Sequence, residues 1–159
     1  RSEGAMLEKE RINISEVIET KASEWHYLAD ERSVAITTDS KPWVFVHCNS
    51  LALTEIIDNY MDNALEVSPE GSTISIIANP VGSQIEIIVR DEGRGLTDEQ
   101  RLRAFDRFWR NSLDSNRRQG SGLGLAIVAQ LAQAGGLTVE LRESPKGGVD
   151  AALIISDSN

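Results

Sequence analysis

EIIDNYMDNALE, residues 55–66, decides how this chain is read. Asn59 and Asn63 stand four positions apart, which on a helix is one turn apart on a single face. Asparagine is a mediocre helix former, and a buried amide must find hydrogen-bond partners. Two amides at this spacing raise the question of what they bond, and why an amide rather than a carboxylate stands at both places. Ile56, Ile57, Tyr60 and Ala64 give the same segment an apolar side to lay against a core. The pattern predicts a helix from about Leu51 to Glu66, broken by Pro69-Glu70-Gly71.

The flanking segments suggest what that helix packs on. RSEGAMLEKE (1–10) is polar and reads as a lead-in. Asn13 or Ser15 caps a helix carrying Val17, Ile18, Ala22, Trp25 and Leu28 at helical spacing. VAITT (34–38) and WVFVH (43–47) are strands around a turn at Asp39-Ser40-Lys41-Pro42. TISIIA (73–78) and QIEIIVR (84–90) flank a hairpin loop at 79–83. A glycine-punctuated stretch from Asp91 to about Ser121 holds one short helical piece around 98–108. LGLAIVAQLAQA (123–134) is a third strong helix, stopped by Gly135-Gly136. LTVELRE (137–143) and VDAALIIS (149–156) close the chain as a hairpin. Three main helices on one face of a mixed, mostly antiparallel sheet make an α+β two-layer sandwich. The strands lack regular crossover helices, which argues against a doubly wound parallel sheet.

Composition bounds the function. The 159 residues suit a single domain, and 40% hydrophobic with 26% charged residues is ordinary for a globular protein. No apolar run approaches the roughly 20 residues of a membrane helix. The single cysteine, Cys48, excludes an intramolecular disulfide and suits a reducing compartment. A formal net charge of −9 argues against nonspecific nucleic-acid binding.

Irregular stretches longer than about 12–15 residues are uncommon unless functional or disordered, and a functional lid is the better reading of 91–121. DEGRG (91–95) follows a strand directly, and its glycines let backbone approach a ligand closely. The ionised carboxylate of Asp91 only accepts hydrogen bonds, so it suits the exocyclic amine of adenine and rejects the acceptor of guanine. A hairpin turn is the plainer account of the same residues. GSGLGLAIV (120–128) runs straight into a helix, so Gly120, Gly122 and Gly124 expose amides at its N-terminus, an anion site. It is neither a Walker loop nor a dinucleotide fingerprint, and a glycine-rich hinge is the alternative. Between the two boxes, RAFDRFWR (103–110) sets Arg107 and Arg110 beside Phe105, Phe108 and Trp109. Aromatics there can pin a lid while arginines reach phosphate oxygens; a small satellite core with solvated arginines is the alternative.

Taken in order, these boxes resemble the asparagine, first glycine, phenylalanine and second glycine boxes of histidine kinases. That resemblance, over roughly residues 11–156, is to the catalytic ATP-binding domain of bacterial two-component sensors. The domain belongs to the superfamily shared with gyrase and MutL. It implies the Bergerat-type ATP-binding sandwich, with ATP and Mg2+ as cofactors. Asn63, followed by Ala64, would hold the Mg2+ that bridges the phosphates, assisted by Asn59. Asp91 would bind the adenine amine, Gly93 and Gly95 would shape the pocket and Leu96 would line it. Phe105 and Phe108 would anchor the lid, and Arg110 would touch the γ-phosphate. Gly120, Ser121, Gly122, Leu123, Gly124 and Leu125 would close over the phosphates. Asn59 and Arg110 are the implied catalytic residues.

The resemblance also implies a parent protein. Residues 1–10 would be the linker from a dimerisation domain bearing the acceptor histidine, and 11–159 the catalytic domain. Its partners would be that dimerisation domain directly and a response regulator indirectly. It would bind no nucleic acid, be monomeric in isolation, and lie on the cytoplasmic side of a membrane-anchored sensor. Neither histidine fits the phosphoacceptor motif: His26 reads as a surface or half-buried helix residue and His47 as packing at a strand end. Three positions depart from the family pattern. Glu66 stands where a Lys or Arg often meets phosphate, leaving Arg107, Arg117 and Arg118 as candidate replacements. Val67 stands for an aromatic, and Gly147-Gly148-Val149 for Gly-Gly-Thr. Residues about 110–120 are expected to be mobile. Competing functions are a hydrolysing ATPase clamp, an anti-sigma-type serine kinase and a noncatalytic nucleotide-binding interaction module. The first two usually carry Glu at position 59 as a base for water, and an amide cannot take that proton.

Overall fold

The computed structural model describes residues 7–106 and 124–156. Along the chain run β1 (Glu10–Asn13), α1 (Ile14–Glu31), β2 (Ala35–Asp39), β3 (Phe45–Cys48), α2 (Ser50–Val67) and β4 (Thr73–Val81). They are followed by β5 (Gln84–Arg90), α3 (Asp98–Arg103), α4 (Gly124–Gly135), β6 (Thr138–Glu143) and β7 (Val149–Ser156). The strands β2-β4-β5-β7-β6 form one five-stranded sheet. β2 pairs with β4 in parallel; the other three pairings are antiparallel. This is the expected mixed sheet with α1, α2 and α4 as its helical layer.

Burial explains the layering. Alternate strand residues, including Ile74, Ile76, Ile87, Val89, Leu153 and Ile155, turn inward against Leu53, Ile56, Ile57 and Met61 of α2. Tyr60 crosses the core and donates its hydroxyl to the carbonyl of Ala152 at 2.8 Å. Burial first, then the charge of Glu140, raises the Tyr60 pKa, so the phenol stays protonated as a donor. Of the two expected caps for the first helix, Asn13 acts: its side chain accepts from the amide of Glu16 at 3.3 Å. Asn49 caps α2 by accepting from the amide of Ala52 at 2.8 Å.

Three local differences have physical causes. The loop expected at 79–83 shrinks to Gly82-Ser83, because β4 continues through Pro80 to Val81 opposite Gln84. β2 ends opposite Ile77, so Pro80 meets no neighbour on that side that needs its missing amide hydrogen. β1 has no strand-like sequence of its own; ERIN gains strand form by pairing with β3 in a separate two-stranded sheet. His47 lies on the exposed side of β3 rather than packing, since Val46 and Cys48 take the buried phase of the alternation. Before β1, Leu7 donates to Ala134 and the Asn49 amide donates to the carbonyl of Glu8, tying residues 7–8 to the domain. Among the described residues, no helix is long and apolar enough to cross a membrane.

Candidate functional site

The two asparagines lie half-buried on the side of α2 that meets α4. Asn59 donates its Nδ2 to the carbonyl of Glu55 at 2.9 Å, which fixes the amide and leaves Oδ1 as its outward acceptor. That oxygen would lie 3.2 Å from a Cβ on Gly124, the first residue of α4. The position therefore favours glycine, and it sets the amide pair against a helix N-terminus. Such a terminus offers unsatisfied amides and a positive dipole end. No hydrogen bond within the described residues engages the Asn63 side chain.

The rotation of α2 that aims these amides is set from α1. Asp58, next to Asn59, accepts from Lys21 Nζ and from Trp25 Nε1, each at 2.9 Å. Burial alone would lower the Lys21 pKa, but hydrogen bonds to Asp58 and Glu24 outweigh it and hold the pKa above its ordinary value. Sequence reasoning missed this pair. Its signal was a lysine in phase with the buried Ile14 and Ile18, which demands a partner on the facing helix.

Asp91 sits at the corner where β5 ends, 5% exposed. Its Oδ1 accepts from the amides of Gly93 at 2.8 Å and Val149 at 3.1 Å. Its own amide donates to the carbonyl of Val149 at 3.0 Å. Both donors converge on one oxygen, so Oδ2 is left with no partner among the described residues. Burial raises the pKa of this carboxyl; the Gly93 and Val149 amides oppose the rise, and Asp150 and Glu92 add to it.

The glycines around Asp91 are required by space. A Cβ on Gly148 would lie 2.2 Å from Asp91 Oδ1 and 2.4 Å from its carbonyl oxygen. A Cβ on Gly95, whose φ is +78°, would lie 2.7 Å from the carbonyl of Gly147, and one on Gly93 would meet Val67 at 2.9 Å. The DEGRG corner and the 144–148 loop thus interlock backbone to backbone. The Gly-Gly of that loop was noted in the sequence only as a departure. Its contact with Asp91 needed the β5–β7 register to appear. Gly148→Ala is expected to destabilise the domain by about 1–3 kcal/mol, as overpacking does, and to displace Asp91. Thermal melting checks this; a parental melting temperature would contradict it.

Beyond the corner, Leu96 is half-buried, and its carbonyl accepts from Arg101 Nη1 at 2.7 Å. Thr97 and Gln100 cap α3 reciprocally. Phe105 and Leu125 are half-buried and pack against the core. The site residues Phe108, Arg110, Gly120, Ser121, Gly122 and Leu123 lie outside the described residues. So do Arg107, Trp109, Arg117, Arg118 and the stretch expected to be mobile. The described site therefore joins α2, the β5 corner and the start of α4.

Among the described residues, no three His, Cys, Asp or Glu side chains gather as a metal site. The chemistry of Asn59 and Asn63 still fits Mg2+, a hard cation held by a few protein oxygens together with ligand phosphates and water. Oδ1 of Asn59 and Oδ1 of Asn63, whose side chain bonds nothing among the described residues, are such oxygens.

A family model described as histidine kinase-, DNA gyrase B-, and HSP90-like ATPase matches residues 48–158. The sensor-like histidine kinase SenX3 of Mycolicibacterium smegmatis is 31% identical over 147 residues, which take in 92% of this chain and 38% of that protein. The chain thus spans about two fifths of this relative. Among solved structures, the mycobacterial sensor histidine kinase MprB is 26% identical with a TM-score of 0.75, covering 92% of this chain and 95% of that one. Full-length ShkA in complex with AMPPNP shares the fold at 24% identity and a TM-score of 0.83, covering 96% of this chain and 32% of that one.

Proposed function

The chain belongs to the family of histidine kinase-, DNA gyrase B- and HSP90-like ATPases, and from that premise we propose that it binds Mg–ATP and donates the γ-phosphoryl group to a histidine. It is a histidine-kinase-type ATPase domain, and the acceptor would stand in a dimerisation domain of the parent sensor. The observation that carries the reading is Asp91, a buried carboxylate with Oδ1 pinned by two amides and Oδ2 left for a donor. An exocyclic adenine amine is such a donor, and the likeness to a structure solved with AMPPNP agrees with a nucleotide ligand.

In this reading each group has one task. Asp91 orients the base, with Gly93, Gly95 and Leu96 shaping its pocket. Asn63 and Asn59 would hold Mg2+, which when bound would supply charge neutralisation across the phosphates. The start of α4, Gly124 and Leu125, would meet the phosphates, and the family resemblance gives Arg110 and residues 120–123, outside the described residues, the task of closing over them. The acceptor imidazole nitrogen forms the N–P bond as the bond from Pγ to the β,γ-bridging oxygen breaks, and ADP leaves with that electron pair. Asn59 takes no proton from water, so the site lacks a base at this position for hydrolysis.

We further propose that residues 1–10 connect to the dimerisation domain, that a response regulator receives the phosphoryl group downstream, and that the parent sensor is membrane-anchored with this domain in the cytoplasm. Calorimetry of the chain with ATP, with and without Mg2+, and with GTP tests the binding half. Metal-dependent binding of ATP in preference to GTP is expected. No binding at millimolar nucleotide would contradict it and favour an interaction module.

A further inference from the structure

Asp91 is presented from the sheet's helical side, yet its placement is tied to a pair on the opposite side. Arg90 and Asp150 stand directly across from each other in the β5–β7 pairing. They bond in fork geometry, Arg90 Nε to Asp150 Oδ1 at 2.8 Å and Arg90 Nη2 to Asp150 Oδ2 at 2.9 Å. The Asp150 side chain is 6% exposed and that of Arg90 25%, so water screens the pair poorly. One step along each strand lie Asp91 and Val149: the Asp91 amide donates to the Val149 carbonyl, and the Val149 amide donates to Asp91 Oδ1 and fixes the carboxylate.

We propose that Arg90 and Asp150 are positioning residues for nucleotide binding: their ion pair staples the ends of β5 and β7 so that Val149 holds Asp91 in the adenine-accepting rotamer. The pair acts in two ways. Mechanically, it is the last side-chain tie before the corner, where unpaired strand ends would otherwise fray. Electrostatically, Arg90 neutralises a buried carboxylate that would otherwise stand beside Asp91. The charged groups bearing on Asp91 are Asp150, paired with Arg90, and Glu92. Glu92 is itself engaged by the amide of Thr73 and approached by Lys146. Removing Arg90 alone leaves the buried Asp150 with Arg142, its cross-strand neighbour on β6, as the nearest cation, and Glu86 and Glu140 already engage that guanidinium, so Asp91 ionises less readily and the acid limit of ATP binding moves to higher pH. Removing the Asp150 charge as well restores that limit while the staple stays broken.

The inference rests on Asp91 reading the base, and the test separates the two. Mg–ATP affinity is measured by calorimetry against pH for the parent chain, Arg90→Gln, Arg90→Lys, Arg90→Gln/Asp150→Asn and Asp91→Asn. Glu86→Gln, which removes one of the two carboxylates held by Arg142, the residue across from Asp150 on β6, serves as control for loss of an ion pair on the same sheet face. Losing a charge-assisted fork is expected to weaken ATP about fivefold or more in Arg90→Gln near neutral pH. The acid limit should also rise in that variant. The double variant should return the limit to its parental pH without regaining full affinity, and Arg90→Lys should fall between. Glu86→Gln should stay within about twofold of the parent, because it leaves the Arg90–Asp150 fork and the Asp91–Val149 contact in place. If Asp91→Asn weakens ATP but Arg90→Gln keeps the parental affinity and acid limit, or merely matches Glu86→Gln, the staple is overturned and the base-reading role stands. If Asp91→Asn binds ATP like the parent, both fall. Should Arg90→Gln fail to fold, Arg90→Lys and the double variant decide by the same two readouts.

Discussion

Asp91→Asn is expected to weaken ATP binding about 10- to 100-fold, the worth of a hydrogen bond to a charged group, and to relax discrimination against GTP. The substitution is nearly isosteric. The amide oxygen can replace Oδ1 as acceptor for Gly93 and Val149. The new NH2 then takes the place of Oδ2, so an acceptor for the adenine amine becomes a donor that suits guanine's carbonyl oxygen. Stability should hold or rise slightly, because the variant no longer buries a carboxylate whose ionised form is penalised. Calorimetry with both nucleotides and a thermal melt check this; unchanged ATP affinity and selectivity would refute the adenine role.

The pH dependence of the parent follows with opposite signs for fold and ligand. Burial raises the Asp91 pKa, so protonation at this residue favours the folded state, and that contribution is lost as pH rises through the raised value. Binding needs the ionised acceptor, so ATP affinity should fall as pH drops through the same value, above the ordinary aspartate range. Glu86 behaves conversely. Its hydrogen bond from Arg142 lowers its pKa, so that pair stabilises the fold above the ordinary glutamate range and is lost only in stronger acid. Acidification should therefore release nucleotide before it breaks this pair, and Asp91→Asn should flatten the binding profile while leaving the acid unfolding limb in place.

Asn63→Ala is expected to remove the Mg2+-dependent part of nucleotide binding and to cut phosphoryl transfer at least about 100-fold. Partners one shell out from a metal already cost about 10- to 100-fold when removed, and Asn63 is read as a direct ligand. Misfolding does not mimic this effect, because alanine is the better helix former and the Asn63 amide bonds nothing within the described residues. The melting temperature should stay level or rise while metal-dependent binding disappears. Equal affinity with Mg2+ and with a chelator in the parent, or parental Mg–ATP binding in Asn63→Ala, would show that the metal is held elsewhere.

How much of this was legible in the chain differs by residue. The apolar face of α2 was readable because Ile56, Ile57, Tyr60 and Ala64 repeat at helical spacing, and all four are buried. Asn59, Asn63 and Asp91 stood out as polar groups that packing did not explain. What a linear reading could not give was register. Val149 as a donor to Asp91, Gly148 as the space it needs, and Arg90 opposite Asp150 all follow from the alignment of β5 with β7. Lys21 with Asp58 joins helices 37 residues apart in sequence. β1 was missed for a related reason, since its strand form comes from β3 and not from its own four residues.

The central claim is transfer to histidine rather than to water. Incubating this chain with γ-labelled Mg–ATP and the dimerisation domain of its parent sensor tests that claim most directly. Label should appear on the dimerisation domain as an acid-labile, alkali-stable phosphohistidine, with little free phosphate released when that domain is omitted. Rapid phosphate release by the chain alone, with no label on the partner, would contradict the account and identify a hydrolase.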